Sequence, residues 1–436
     1  MAGAVKNQKE ILQKLKIEAL NEMQIQAKNA IHTSDEIMLL SPTGTGKTLA
    51  FLLPIIAELD SEIEEVQSLI IAPSRELAIQ IEQVAKETGA GYKCNVFYGG
   101  RNFSKDRMEL NKRPAILVGT PGRIADHLRR KTFDNEHIKT LVLDEFDKSL
   151  EIGFEEDMKE IYNALPSLKK KILTSATKDV EIPYFVKINT PNVVDFLSQG
   201  VKALEIKKVI SPVKDKLDTL VDSLCHFGAK SGIIFCNFKE SINRVSAQLD
   251  KVGIAHGIFY GGMEQKDRER ALIKFRNGTH RLIIATDLAA RGIDVPQLDF
   301  IIHYHLPLKS TEFTHRNGRT ARMNSEGTAY VIQWKDEELP EFIGDIETEE
   351  ISEAHNPKPT EWSTLFVSGG RKDKISKGDI AGLFMKQGGL EKSEIGLIEL
   401  KTDCAFVAVH RSKSQKLIDQ LNNSRVKKRK VRIYEV

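Results

Sequence analysis

The run Ser41-Pro42-Thr43-Gly44-Thr45-Gly46-Lys47-Thr48 sets a lysine and a threonine directly behind two closely spaced glycines. It follows a short apolar stretch, Ile37 to Leu40, and leads into an apolar, helix-compatible one, Thr48 to Leu59. A glycine-bearing turn between strand and helix lets backbone N–H groups close around phosphate oxygens. Lys47 would then reach the terminal phosphates, and Thr48 would hold Mg2+. The segment predicts binding of a nucleoside triphosphate, with Ser41 standing where such loops usually begin on glycine.

Asp144-Glu145-Phe146-Asp147 follows the apolar run Leu141–Leu143. Carboxylates at the end of a buried strand are costly to desolvate unless they meet a cation or water. Behind a phosphate loop, Asp144 would orient Mg2+ through its water shell and Glu145 would position or deprotonate the attacking water. His315-Arg316-Asn317-Gly318-Arg319-Thr320-Ala321-Arg322 packs three arginines into seven residues. Guanidinium groups fit phosphate in pairs of hydrogen bonds and can neutralise charge developing on a transferring γ-phosphate. Ser175-Ala176-Thr177 is a weak signal by itself, since small hydroxyl residues are common in turns.

The elements that must hold these groups read as two α/β units. Ile37–Leu40, Ser68–Ala72, Ala115–Val118, Thr140–Leu143 and Lys171–Thr174 are short apolar runs separated by amphipathic segments. That is the pattern of a parallel sheet covered by helices on both faces. It restarts with strands at Ile233–Phe235, Ala255–Phe259, Leu282–Ala285, Phe300–His303 and Thr328–Ile332. Helices are expected at Leu217–Cys225, Ser241–Val252 and Gln265–Arg276. The two units are expected to join near Ser198–Ser211. The acidic stretch Asp336–Glu353 reads as a linker, or as a final helix with a linker. Beyond it, strands at Thr364–Val367, Gly396–Leu400, Ala405–Val409 and Lys430–Tyr434 alternate with helices at Lys377–Gln387 and Ser412–Asn422. This βαββαβ order belongs to small RNA-recognition-type domains.

The chain has 436 residues, 41% hydrophobic and 29% charged, with a net charge of +3. That balance suits about three globular domains, and it shifts any nucleic-acid argument onto local clusters such as Arg425 to Arg432. Cys94, Cys225, Cys236 and Cys404 are scattered, with no Cys-x-x-Cys pair, which argues against zinc or a disulfide framework. Met1 to Leu20 is charged, and no apolar run approaches a membrane span. A cytoplasmic protein without membrane partners is expected.

The order of the motifs resembles the DEAD-box RNA helicase family. Pro73-Ser74-Arg75-Glu76-Leu77-Ala78, Gly99-Gly100, Thr120-Pro121-Gly122-Arg123, Asp144–Asp147 and Ser175–Thr177 stand in the family's sequence of elements. So do Gln265 with Arg268, Thr286-Asp287 with Ala290-Arg291-Gly292-Ile293-Asp294, and His315–Arg322. The resemblance implies an α/β fold of two tandem RecA-like domains with parallel sheets, plus a small α+β RRM-like domain. The divisions it implies are 1–199 and 200–350 for the two helicase lobes, 351–363 for a linker, and 364–436 for the last domain. That last domain resembles the RNA-binding domain of bacterial DbpA-type proteins through Leu365–Lys374 and Gly378-Asp379-Ile380.

By the same resemblance, ATP and Mg2+ are the cofactors. Gln24 reads adenine, Ser41 to Thr48 hold the phosphates, and Asp294 contacts the ribose. Lys47, Asp144, Glu145, Arg319 and Arg322 are catalytic, the arginines acting as fingers, and Thr48 and Asp144 face the metal. Arg75, Gly100, Thr120, Gly122, Arg123, Gln265, Arg268 and Thr286 line the RNA path, reading backbone and 2′-OH rather than bases. Asp147, Ser175, Thr177 and His315 couple hydrolysis to the neighbouring lobe. Lys427, Lys428 and Arg429 are the expected RNA contacts of the last domain. The implied activity is RNA-stimulated ATP hydrolysis that closes two lobes, bends one strand and separates short duplexes. A structured, ribosomal RNA is the implied client and a monomer the implied state. Three departures bear on this. Phe146 replaces the family's alanine and would set a bulky ring beside the carboxylates, which keeps open an ATP-gated RNA clamp with little strand separation. No aromatic residue precedes Gln24, so adenine selectivity should be weaker. Asn317 stands where an aliphatic residue is usual.

Overall fold

The computed structural model describes residues 6–151, 153–178, 182–198, 204–287, 298–320 and 327–436. They divide into two compact units, 6–198 and 204–436. In the first, α1 (Gln8–Leu15) and α2 (Glu22–Thr33) each start on an asparagine, Asn7 and Asn21, that closes a reciprocal capping box. Then come β1 (Glu36–Leu40), α3 (Lys47–Glu58), β2 (Ser68–Ile71), α4 (Arg75–Thr88), β3 (Cys94–Phe97) and α5 (Phe103–Leu110). The unit continues through β4 (Ile116–Gly119), α6 (Pro121–Arg129), β5 (Thr140–Leu143), α7 (Phe146–Glu151), α8 (Glu155–Asn163), β6 (Lys170–Ser175) and β7 (Asn192–Asp195).

The seven strands pair in parallel in the order β3-β4-β2-β5-β6-β1-β7. Alternate residues of each strand feed opposite cores. Ile70, Val118, Val142 and Ile172 join Phe51 and Ile81 on one face, while Leu69, Leu117, Leu141 and Leu173 join Ile124 and Ile161 on the other. Where both faces are covered, as along β2, β4 and β5, the strands are largely apolar, which is what made most of them readable.

The second unit holds β8 (Glu205–Ser211), α9 (Leu217–Phe227), β9 (Gly232–Phe235), α10 (Lys239–Lys251), β10 (Gly257–Phe259) and α11 (Gln265–Arg276). After them come β11 (Leu282–Ala285), β12 (Phe300–His303), α12 (Ser310–Asn317), β13 (Thr328–Trp334) and β14 (Glu347–Thr348). They form a second parallel sheet, β10-β11-β9-β12-β13-β8-β14. Two expectations are corrected here. Part of the expected joint is strand β8, paired with β13 along seven residues. The acidic stretch forms no α-helix, only the single turn Glu341–Ile343 and the edge strand β14. Its charges answer lysines on β8, with Glu349 2.9 Å from Lys207.

The same unit ends in β15 (Trp362–Val367), α13 (Lys377–Gly382), β16 (Ile395–Leu400), β17 (Ala405–His410), α14 (Ser414–Leu421), β18 (Arg425–Val426), β19 (Arg429–Lys430) and β20 (Ile433–Glu435). The expected βαββαβ order is present, as an antiparallel sheet β16-β17-β15-β20. The first helix gives way to a π turn over Leu383–Gln387. The expected last strand divides into the hairpin β18–β19 and β20. Both helices cover one sheet face, where Leu365, Val367, Val407 and Val409 meet Ile380, Phe384 and Leu417. Among the described residues no helix is long and apolar enough to cross a membrane.

Candidate functional site

Strand order decides which loops share an edge. β5, β6 and β1 are neighbours, so the segments leaving their carboxyl ends lie together, where open α/β sheets bind ligands. Ser41 to Lys47 leaves β1, Asp144 to Asp147 leaves β5, and Ser175 to Thr177 leaves β6. The Ser41 amide donates to the Ser175 carbonyl at 3.0 Å, extending the β1–β6 pairing into both turns.

The loop turns back through left-handed glycines, Gly44 at φ +82° and Gly46 at φ +88°. It is braced from within, because Ser41 Oγ donates to Thr45 Oγ1 at 2.8 Å and Thr45 Oγ1 donates to the Pro42 carbonyl at 2.9 Å. Lys47 opens α3 and its ammonium donates to the carbonyls of Ser41 and Pro42 at 2.5 and 2.9 Å. It therefore sits over the loop it must serve, with Thr48 beside it in the first turn. Thr43 belongs to the same turn.

Helix α2 grips the loop from the side. Asn21 Nδ2 donates to the Thr45 carbonyl at 3.1 Å and Gln24 Nε2 to the Gly46 carbonyl at 3.3 Å. A Cβ on Gly46 would lie 2.5 Å from Gln24 Nε2, so only glycine admits this approach. Gln24 is thus placed against the phosphate loop. A helix N-terminus, a cation and a turn of left-handed glycines fit a polyphosphate.

Asp144 is 3% exposed. Burial, reinforced by Glu145, pushes its carboxyl up to about 6, while the Thr174 hydroxyl and Lys47 pull the other way. Thr174 Oγ1 donates to Asp144 and accepts the Glu145 amide at 3.1 Å. Glu145 itself is held at φ +48°, a conformation costly for a side-chain-bearing residue. A buried carboxyl costly to ionise is the donor that a divalent cation would relieve, so the pair suits Mg2+. The Phe146 ring belongs to a hydrophobic core. It is 1% exposed and packs with Leu143, Met158 and Leu173. Asp147 lies on α7, 3.6 Å from Lys148, and Ser175 Oγ accepts the Thr177 amide at 3.0 Å.

The residues expected on the RNA path in this unit gather at the same edge. The Arg75 guanidinium lies against Gly99 and Gly100, and a Cβ on Gly100 would meet Arg75 Nη1 at 2.8 Å. Thr120 caps α6, which carries Gly122 and Arg123 in its first turn. Sequence reasoning missed Asp106, the anchor of Arg123. Its fully buried carboxylate accepts Arg123 Nε at 2.8 Å and Nη2 at 2.6 Å, forms an ion pair with Arg101 Nε at 3.0 Å, and lies 3.2 Å from His127 Nε2. His127 in turn stacks between Phe97 and Phe103. An aspartate on a polar helix gave no signal of this.

In the second unit, Gln265 and Arg268 start α11, with the Arg268 guanidinium 4.9 Å over the Phe259 ring. The Thr286 amide donates to the Phe259 carbonyl at 3.3 Å. Of the arginine-rich segment, Arg316 is interior. It pairs with both oxygens of Asp287 at 2.6 Å, donates to Asn237 Oδ1 at 2.8 Å and to the His305 carbonyl at 2.5 Å, tying three strand ends together. Asn317 also finds its reason, since its Oδ1 accepts from His303 Nε2 at 2.9 Å. Burial, with Arg316 adjacent, drives His303 down to about 3, so the ring is neutral and needs that acceptor. His315 and Arg319 are buried in the same region. Asp294 and Arg322 lie outside the described residues. On the basic hairpin Lys427, Lys428 and Arg429 are exposed, and Lys427 pairs with Asp379 at 2.8 Å.

Comparison with known proteins agrees with this geometry. The DEAD/DEAH box helicase family matches residues 21–183, the helicase conserved C-terminal domain 215–324, and the DbpA RNA binding domain 364–435. The ATP-dependent RNA helicase DbpA of Bacillus subtilis (strain 168) is 30% identical over 434 residues, covering 91% of each chain. Its namesake from Escherichia coli (strain K12) is 29% identical over 95% of this chain and 94% of its own. The solved structure of S. cerevisiae Dbp5 bound to RNA and ADP BeF3 matches with a TM-score of 0.67 at 27% identity, over 77% of this chain and 89% of its own. A phosphate loop backed by buried acids on the first of two RecA-like sheets, a DbpA domain after them, and these matches place this chain in the DEAD-box ATP-dependent RNA helicases.

Proposed function

We propose that this chain hydrolyses ATP in response to a structured RNA and uses the cycle to part short duplexes. The observation that carries the reading is the convergence of Gln24 and Lys47 on one glycine turn in the first lobe, at the sheet edge that the buried Asp144 shares. Gln24 would read the adenine edge, and Lys47 with the loop amides would hold the phosphates. Thr48 and Asp144 would hold Mg2+, which neutralises charge on the phosphates. Glu145 would orient the attacking water and take its proton. Arg319 and Arg322 would complete the site when the lobes close, Asp294 would meet the ribose, and Asp147, Ser175, Thr177 and His315 would transmit the closure. Arg75, Gly100, Thr120, Gly122, Arg123, Gln265, Arg268 and Thr286 would hold one strand bent, so that its complement leaves. The domain divisions at 199, 350 and 363 belong to the same proposal, as do a ribosomal RNA client, a cytoplasmic setting and a monomeric state.

The clamp alternative drew on Phe146 beside the acids. Burial of the ring in a hydrophobic core favours the helicase reading over the clamp. Duplex separation with ATP, set against a non-hydrolysable analogue, decides between the two, because a clamp binds in both cases and releases little strand. ATPase rates across a panel of structured RNAs at fixed salt identify the client, since phosphate contacts are salt-sensitive. Lys47→Ala should lower RNA-stimulated turnover by at least about a hundredfold. Undiminished turnover in that variant would refute the loop's role.

A further inference from the structure

Helix α11 has different neighbours at its two ends. Gln265 and Arg268 occupy its start. Its final residue and the turn that follows, Arg276 to Thr279, meet the sheet of the C-terminal domain. Arg276 Nε and Nη2 donate in parallel to the two oxygens of Glu399 on β16, at 2.6 and 3.0 Å. Asn277 Nδ2 donates to Thr364 Oγ1 at 3.1 Å, and Thr279 Oγ1 lies 2.7 Å from the same atom. Thr360 Oγ1 donates to the Thr279 carbonyl at 3.1 Å. Asn277, Thr279 and Thr364 are 5%, 6% and 0% exposed, so the contact is built and closed to water. Gly278 turns at φ +74° directly under Trp362, where a Cβ would stand 3.4 Å from the ring.

The face used is the one that helices α13 and α14 leave uncovered. Leu365, Val367 and Val407 point into the domain's core, so Thr364, Phe366, Phe406 and Glu399 point to the other side. On that side Phe366 stacks on Tyr434 and meets Phe406 edge-on, and of the three only Tyr434 is exposed, at 42%. The chain entering the domain is tied as well. Ser352 Oγ lies 2.8 Å from His226 Nδ1, Asn356 accepts from Cys225 Sγ at 3.3 Å, and the Lys358 carbonyl accepts from Arg281 Nη1 at 3.1 Å. Docking across so short a connection is unimolecular, with an effective concentration on the order of millimolar, so even a modest interface stays closed.

We propose that this contact is a fixed joint. The domain's sheet face is occupied by lobe 2, and RNA gripped by the basic hairpin is delivered at a set place relative to Gln265 and Arg268. Those residues lie toward the far end of the same helix, about 16 and about 12 Å away at about 1.5 Å per residue. A loose tether makes duplex separation fall smoothly as the gripped element and the target duplex move apart. A joint makes it rise and fall with the helical phase between them. The joint stands on the contacts alone, whereas its use for RNA rests on the helicase reading.

The test uses the full chain with dyes carried by unnatural amino acids at the exposed Lys251 and Lys416, first without RNA or nucleotide. One narrow distance is expected. Arg276→Glu should broaden it, raising the undocked fraction roughly tenfold, and adding Glu399→Arg should restore it. A broad distribution in the unaltered chain, or indifference to Arg276→Glu, overturns the joint. If Arg276→Glu does not fold, Glu399→Gln serves, with a smaller broadening expected and none counting against the proposal. In the RNA arm, Arg276→Glu should keep its affinity for a hairpin RNA but lose the phase dependence of separation. Phase dependence that survives a loosened joint overturns the steering role. Failure of the unaltered chain to hydrolyse ATP with any RNA would strike the helicase reading and leave the joint standing.

Discussion

At the residue scale, Asp144 and Glu145 are adjacent acids, both buried. Asp144 is buried and resists ionisation, and that resistance has a measurable sign. Below its ordinary 3.8, folded and unfolded chains both hold the proton. Between there and about 6 the folded chain keeps a proton that the unfolded chain has released, so stability falls as pH rises. Above about 6 the whole cost is present. Asp144→Asn should therefore stabilise the nucleotide-free first lobe by about 2–3 kcal/mol at pH 8 and by little near pH 4, as read by urea denaturation. The same variant should lose turnover, since its amide no longer answers a cation. Glu145→Gln removes a base without altering shape. It should retain ATP and RNA while hydrolysis slows about 10²- to 10⁴-fold in single-turnover assays, and rapid release of both ligands would count against its role.

At the scale of elements, the two sheets were largely legible because strands buried on both faces are apolar without interruption. The strands that escaped notice broke that rule. β3 contains the buried Asn95, β7 is a mostly exposed edge strand, and β8 mixes charged and apolar residues inside a stretch that read as a joint. The phosphate turn and the acids were legible because their spacing is chemical. Asp106 and Thr174 were not, because their value depends on partners 17 to 30 positions away in the chain. Phe146 shows how direction is lost in a one-dimensional reading. Its neighbours in sequence are the acids, but its neighbours in space are Leu143, Met158 and Leu173. Phe146→Ala should therefore act as a core deletion, costing about 3–5 kcal/mol in the denaturation of lobe 1. The ATPase rate per folded molecule should stay within about threefold of the original. A selective collapse of turnover with stability unchanged would return the ring to the active site.

For the whole molecule, the family reading and the contacts of residues 204–436 lead to one account of the C-terminal domain. In the proposed reading it is an address for RNA, and its hydrogen bonds and ion pair tie it to the second lobe. Removal of residues 362–436 should weaken discrimination among structured RNAs by about tenfold or more, while the maximal ATPase rate with excess RNA falls far less. Competition between hairpin and unstructured RNA in an ATPase assay measures both quantities, and an unchanged preference would show that the address lies elsewhere.

The bonded segment between Ser352 and Lys358 has a practical corollary. Its lack of helix or strand invites a truncation boundary there, but a cut at that point strips the cover from Asn277, Thr279 and Trp362's glycine perch. A shortened protein would then display a raw polar notch and half an ion pair to solvent. Poor behaviour of such fragments on the bench would report an injured surface, and the engine itself could be sound.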